Sequence, residues 1–227
     1  MSVDHRHTRH LPHFVPGGFP IFLTWNLKGA MPRAAIEELA QERRRLEDQA
    51  PCPGESAAER RIRNDKKLFA LADRFLDRPI DNPGPLHLQD PRAARIVEDS
   101  ILFGLDDGQY ALFAWCVLAN HVHVLLTPYR ELHRVTQGIK GSTGRRINRL
   151  HDAEGRTFWQ DESYDHWARD EEEMHRIISY IENNPVAAGL CRYPEEWPWS
   201  SARRREPEKW AMGTPYLRTG SGGSESG

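Results

Sequence analysis

Along this chain the hydrophobic positions switch between strand-like and helix-like spacing. The run Phe19-Pro20-Ile21-Phe22-Leu23-Thr24-Trp25-Asn26-Leu27 is rich in aromatic and β-branched residues and ends before Gly29 and Pro32, which predicts a strand. Residues 34–49 turn charged and helix-favouring until Pro51, Pro53 and Gly54 interrupt them. A second helix is predicted from about Ser56 to Asp77, with Leu68, Leu71 and Phe75 at helical spacing. A turn-rich stretch with Pro79, Pro83, Gly84 and Pro85 follows. Another helix is then expected over 91–103, with Ala94, Ile96, Val97 and Ile101 on its inner side. Two apolar strands come next, Tyr110 to Leu118 and His121 to Thr127. Only Ala119 and Asn120 separate them, so an antiparallel hairpin is the simplest reading. Helices are expected over about 132–152 and 170–184. Asp170, followed by Glu171, Glu172 and Glu173, suits the start of the latter as a cap with acidic first-turn residues, and Pro185 is read as its stop.

Composition narrows the class. With 227 residues, 38% hydrophobic and 28% charged, the chain reads as one folded domain that needs no disulfide support. Its cysteines, Cys52, Cys116 and Cys191, are odd in number and form no CxxC pair. This speaks against a disulfide framework or a zinc ribbon and fits a cytoplasmic protein. No apolar stretch is long enough to span a bilayer, and the polar, His-rich start lacks the apolar run of a secretory signal. Residues 1–18 are expected to be a flexible arm, 19–205 the domain proper and 206–227 an irregular, flexible tail. The net charge of −2 does not advertise a nucleic-acid binder. Yet basic residues cluster at Arg145, Arg146 and Arg149, and again at Arg203, Arg204 and Arg205, so a locally basic groove is compatible with the total. The competing reading for either cluster is a solvated charged face.

Candidate chemistry sits on two elements. His121 and His123, two apart on a strand, point to the same face, and two neighbouring imidazoles can chelate one divalent ion. Val122, Val124 and Leu126 then face the other way, toward packed helices. The pair alone is a weak signal, since two unrelated histidines on an exposed sheet face would look the same. A metal held by two imidazoles needs further donors, and Mn²⁺ or Mg²⁺ would take oxygens. Tyr180 and Asn184 are i,i+4 neighbours on the predicted late helix, which would present a phenol and an amide together. Their alternative reading is a core-edge tyrosine and a helix-terminating asparagine. A phenol that ionises near pH 10 is a poor nucleophile unless a bound cation polarises and orients its target.

Several blocks in order make the chain less anonymous. Ala114 to Leu126, containing His121-Val122-His123, resembles the histidine strand of HUH single-tyrosine transposases. Phe158-Trp159-Gln160-Asp161-Glu162-Ser163-Tyr164-Asp165-His166, then Tyr180 to Leu190, then Pro194-Glu195-Glu196-Trp197-Pro198-Trp199-Ser200-Ser201, resemble further blocks of the REP-associated tyrosine transposases in the IS200-like superfamily. The resemblance implies an α+β fold of the HUH endonuclease, ferredoxin-like type: an antiparallel β-sheet with packed helices. It implies that His121 and His123 bind a divalent metal, Mg²⁺ or Mn²⁺. Tyr180 is then the nucleophile, and Asn184 sits where a third, helix-borne ligand is expected. The implied activity is cleavage and rejoining of single-stranded DNA near REP-like hairpins through a 5′-phosphotyrosine. Lys140, Arg145, Arg146 and Arg149, on the helix after the histidine strand, become phosphate-contact candidates. Relatives suggest a monomer with Tyr180 acting in its own chain, a dimer being the alternative. Residues 34–77 depart from the family and look like an expanded helical insertion, where the alignment loosens while the implied chemistry stands. Tyr164 is the rival nucleophile, read as structural. Two other readings are a hairpin-DNA-binding protein that no longer cuts and an unrelated metallohydrolase.

Overall fold

The computed structural model describes residues 20–77, 84–161, 163–204 and 215. The arm at 1–18, Phe19, and the 206–227 tail apart from Pro215 lie outside the described residues. The chain runs β1 (Ile21–Asn26), α1 (Arg33–Asp48), α2 (Ala57–Leu76), α3 (Pro91–Asp106), β2 (Tyr110–Val117), β3 (His121–Pro128), α4 (Leu132–Leu150), β4 (Tyr164–Trp167) and α5 (Glu171–Ala187). The four strands form one sheet in the order β2-β3-β1-β4, every neighbouring pair antiparallel. The fold is α+β.

Both sheet faces are covered. Ile21, Leu23, Trp25, Val122, Val124 and Leu126 pack with Val97 and Ile101 of α3 and with Val135, Ile139 and Ile147 of α4. Phe22, Leu125 and Cys116 point the other way and pack with Met174, Ile178 and Ile181 of α5. β2 reaches both cores through a bulge: its pairing passes from Leu112↔Leu126 to Ala114↔Leu125, with Phe113 the extra residue. Phe113 and Ala114 therefore both face α5, while Leu112 and Trp115 face α3. The indole N–H of the buried Trp115 donates to Glu98 on α3 at 3.2 Å, and Arg204 pairs with the same carboxylate at 2.9 Å. That leaves Arg204 structurally committed.

Helix starts follow local chemistry. Ser56 and Glu59 form a reciprocal capping box on α2. The Asp90 side chain accepts from Arg92 N with Pro91 as the first residue of α3, and Asp170 accepts from Glu173 N on α5. One expectation needs correction, and two features go beyond the sequence reading. Pro185 does not stop α5, which continues to Ala187. A proline this near the end forfeits only one intrahelical bond, and the chain turns off instead at Gly189, whose φ of 70° closes the helix. On α2, Leu68, Leu71 and Phe75 are only half-buried, whereas Asp73 and Leu76 are buried. Finally, Tyr164–Trp167 forms an edge strand that was not anticipated, because its four half-buried residues show no clear alternation.

Candidate metal and nucleophile centre

β3 lies inside the sheet, paired to β2 on one edge and β1 on the other. His121 and His123 project to the α5 side and are 1% and 0% exposed, which rules out the reading of two histidines on an open face. Each ring is held through its Nδ1. Thr24, the cross-strand partner of His123, places Oγ1 2.7 Å from His123 Nδ1. Asn120 Oδ1 lies 2.7 Å from His121 Nδ1, and the Asn120 amide nitrogen donates to Leu76 O, which fixes its orientation. An amide oxygen can only accept, so His121 carries its proton on Nδ1 and turns a lone pair out from Nε2. The two Nε2 atoms stand 3.1 Å apart. Lone pairs at that separation repel unless a proton or a cation lies between them. Burial keeps both rings neutral, pushing His121 down to about 3 and His123 well below the ordinary imidazole value.

The third element is α2. Asp73 Oδ1 lies 3.4 Å from His123 Nε2 and 3.9 Å from His121 Nε2, and Asp77 Oδ1 lies 3.5 Å from His121 Nε2. Among the described residues neither carboxylate Oδ1 has a hydrogen-bond partner, and neither does the buried Oδ1 of Asn184. Burial raises both carboxyls, and for Asp73 the neighbouring Asp77 raises it further. Ligand atoms of Asp73, His121 and His123 all lie within 4.8 Å of one another. Neutral imidazoles facing orphaned oxygens form a mixed nitrogen and oxygen donor set that fits a divalent cation such as Mn²⁺.

Tyr180 of α5 reaches the same carboxylate, its hydroxyl donating to Asp73 Oδ2. Its ring centroid is 5.6 Å from that of His123 and 5.9 Å from that of Phe22, and its side chain remains partly exposed. Asn184, one turn on, directs Nδ2 toward the Tyr180 oxygen at 3.5 Å. Tyr164 instead stacks on Phe69, centroids 4.2 Å apart, and burial pushes its phenol well above the usual range. The structure thus brings His121, His123, Tyr180 and Asn184 together. The sequence reading missed Asp73 and Asp77, which lie on the stretch it read as a helical insertion. The one available signal was an acid between Phe69 and Leu76 on the inward seam of α2.

The basic candidates lie elsewhere. Arg145 and Arg149 line a groove of about 820 Å³ with Arg156, Trp159 and Gln160, between α4 and the loop that follows it. Lys140 lines it too, but its ammonium donates to the carbonyls of Gln160 and Asp161 and so pins that loop. Arg146 is exposed outside the groove lining.

A family model covers the first two sequence blocks and the start of the third. Residues 92–184 match the family model described as "Transposase IS200 like". A Haemophilus influenzae protein named provisionally as a REP-associated tyrosine transposase is 28% identical over 122 residues, covering 46% of this chain and 68% of that one. A solved structure of a REP-associated tyrosine transposase bound to a REP hairpin aligns with 93% of this chain and 92% of its own, at a TM-score of 0.43 and 19% identity. The family match contains His121, His123, Tyr180 and Asn184, and leaves out α2 with Asp73.

Proposed function

We propose that this chain, whose residues 92–184 match the IS200-like transposases, is a metal-dependent transferase that cuts and rejoins single-stranded DNA beside hairpins through Tyr180. One observation carries the reading: a single carboxylate, Asp73, is shared by the Tyr180 hydroxyl and the two facing histidine nitrogens. His121 and His123 would hold the cation, with Asp73 and Asn184 completing its protein ligands. The cation would supply polarisation of the phosphate and charge stabilisation in the transition state. Thr24 and Asn120 orient the imidazoles, and Asp73 orients the phenol. In the reaction the Tyr180 Oη–P bond forms as the P–O3′ bond breaks. The phenolic proton leaves toward the Asp73 side, and the departing 3′-oxygen takes up a proton. Reversal by a 3′-hydroxyl rejoins the strand without an energy-rich cofactor, because the phosphotyrosine conserves the bond.

In this reading the working unit spans about residues 19–205 and includes the 34–77 helices, because they supply Asp73. Tyr180 acts in its own chain, which its contact with Asp73 supports. The α4 groove, through Arg145 and Arg149, would carry phosphates of the hairpin, a substrate class suggested by the name of the Haemophilus influenzae relative. No helix among the described residues is long and apolar enough to cross a membrane.

The test is incubation with single-stranded hairpin DNA and Mn²⁺ or Mg²⁺. Wild type should form a covalent protein–DNA adduct that EDTA prevents. Tyr180→Phe should abolish the adduct and keep binding, while Tyr164→Phe should keep both. Loss of the adduct in Tyr164→Phe alone would reassign the nucleophile, and no adduct from wild type on any hairpin would leave a binding protein.

A further inference from the structure

A cavity of about 950 Å³ opens beside Tyr180, and apart from Tyr180 and the Asp73–Asp77 side its lining has no part in the reaction as derived. Phe22, Phe69, Tyr164, Ile177 and Leu190 give it an apolar, largely aromatic wall, and Tyr180 lines it as well. Phe69 is central to that wall: it stacks on Tyr164 and meets Phe22 edge-on at 5.2 Å.

The charges around it divide into spent and free. Glu173 is neutralised by Lys66 and Arg169 and hydrogen-bonded to His166, and Asp73 and Asp77 face the histidines. Arg74 is exposed at the mouth and makes no ion pair among the described residues. Among the described residues Arg176 pairs only with the exposed Glu172, an interaction worth little. An aromatic recess with free guanidinium at its mouth matches a flat base attached to an anionic backbone.

The inference rests on Tyr180 attacking DNA. A strand whose phosphate meets Tyr180 must pass this opening, and an unpaired base next to that phosphate has to be accommodated. We infer that the cavity receives the base of one unpaired nucleotide flanking the scissile phosphate, packed against Phe69 and Tyr164, with Arg74 contacting the adjoining backbone. Because the wall is mostly hydrocarbon, it selects by stacking area and favours purines over pyrimidines. Phe69 and Arg74 both belong to α2, outside the segment that matches the transposase family. They would add a preference particular to this chain.

The experiment uses full-length Tyr180→Phe protein, which holds DNA uncut. The probes are hairpin oligonucleotides with a short single-stranded flank carrying 2-aminopurine at successive positions, and a stem-only hairpin as control. One flank position should change its emission on binding. Phe69→Leu should reverse that change and weaken binding of the flanked hairpin roughly fivefold or more, the loss expected for one base stack. Stem-only binding should stay constant. Phe69→Tyr should restore both signals, separating stacking from a folding defect. Arg74→Ala should lower the salt slope of flanked binding by about one ion. Unchanged emission in Phe69→Leu, equal weakening of the stem-only hairpin, failure of Phe69→Tyr to rescue, or no binding of any flanked hairpin each overturns the inference. Adduct formation by the Tyr180-containing protein is scored separately. An adduct without base capture removes the cavity assignment alone, and base capture without an adduct removes the nucleophile assignment alone.

Discussion

Asp73→Asn should make the metal-free protein more stable and yet remove most of its response to metal. Asp73 is 4% exposed, its Oδ1 has no partner, and Asp77 adds like charge beside it. Its carboxyl is raised in the folded state, so above the ordinary carboxylate value the unfolded chain is favoured, by about 1.36 kcal/mol per pH unit of displacement. Asparagine keeps the shape without that penalty, so at neutral pH the metal-free variant should gain about 1–4 kcal/mol. With metal the wild type recovers about 1.3–2.3 kcal/mol of that difference. At a concentration of 100 times Kd, a ligand that binds only the folded state stabilises it by about 2.7 kcal/mol. Even an outer-shell partner costs roughly 10–100-fold in affinity when removed. Losing an anionic ligand should cost at least as much, leaving Asp73→Asn with about 0.4–1.4 kcal/mol of stabilisation at the same metal concentration. Thermal unfolding with and without Mn²⁺ reads this directly, since 1 kcal/mol moves Tm by about 2–4 °C in a chain of this size. An Mn²⁺-induced shift in Asp73→Asn as large as in wild type would show that Asp73 is not a ligand. A metal-free variant less stable than wild type would refute the burial argument.

Thr24→Val removes the bond that fixes His123 Nδ1, and calorimetry should find Mn²⁺ bound about 10–100-fold more weakly with the fold intact; unchanged affinity would deny Thr24 an orienting role. Gly104→Ala would place a Cβ 2.3 Å from the Tyr110 hydroxyl, which is itself held by the Ile101 carbonyl at 2.5 Å, so urea unfolding should show about 1–3 kcal/mol lost. A wild-type midpoint would mean that Tyr110 gives way freely. Glu173→Gln weakens charged bonds from Lys66, Arg169 and His166 and should cost about 2–4 kcal/mol at neutral pH. Burial opposes the Glu173 charge, but those bonds overcome it and hold the carboxyl below its ordinary 4.5. The stabilisation is therefore present above pH 4.5 and fades as pH falls through the depressed value, so wild type and variant should converge in acid. A gap that persists there would contradict this origin.

The elements that repeat cleanly were legible. The β2–β3 hairpin, the cap at Asp170 and the inward face of α3 follow from spacing and local hydrogen bonding. The strand period put His121 and His123 on one face, whereas Tyr180 was singled out only through the family resemblance, its helical position alone favouring a core-edge tyrosine. Asp73 was not legible, because its meaning depends on α2 crossing to the histidine face, a tertiary event with no local signature. β4 was missed because an edge strand needs only one partner. Pro185 misled because the penalty of proline depends on how many turns follow it, and here almost none do.

The central position of β3 leaves the two kinds of partner unequal. Its amides are tied on both edges, so the imidazoles form a preset floor. The carboxylate and the phenol arrive on separate helices, and the amide of Asn184 shares the phenol's helix. Sequence drift in α1 and α2 would therefore dismantle the cluster while His121, His123, Tyr180 and Asn184 all stay in place. An intact histidine pair and tyrosine in a relative would then be no warrant of a complete centre; the residue that α2 lays over them has to be inspected as well.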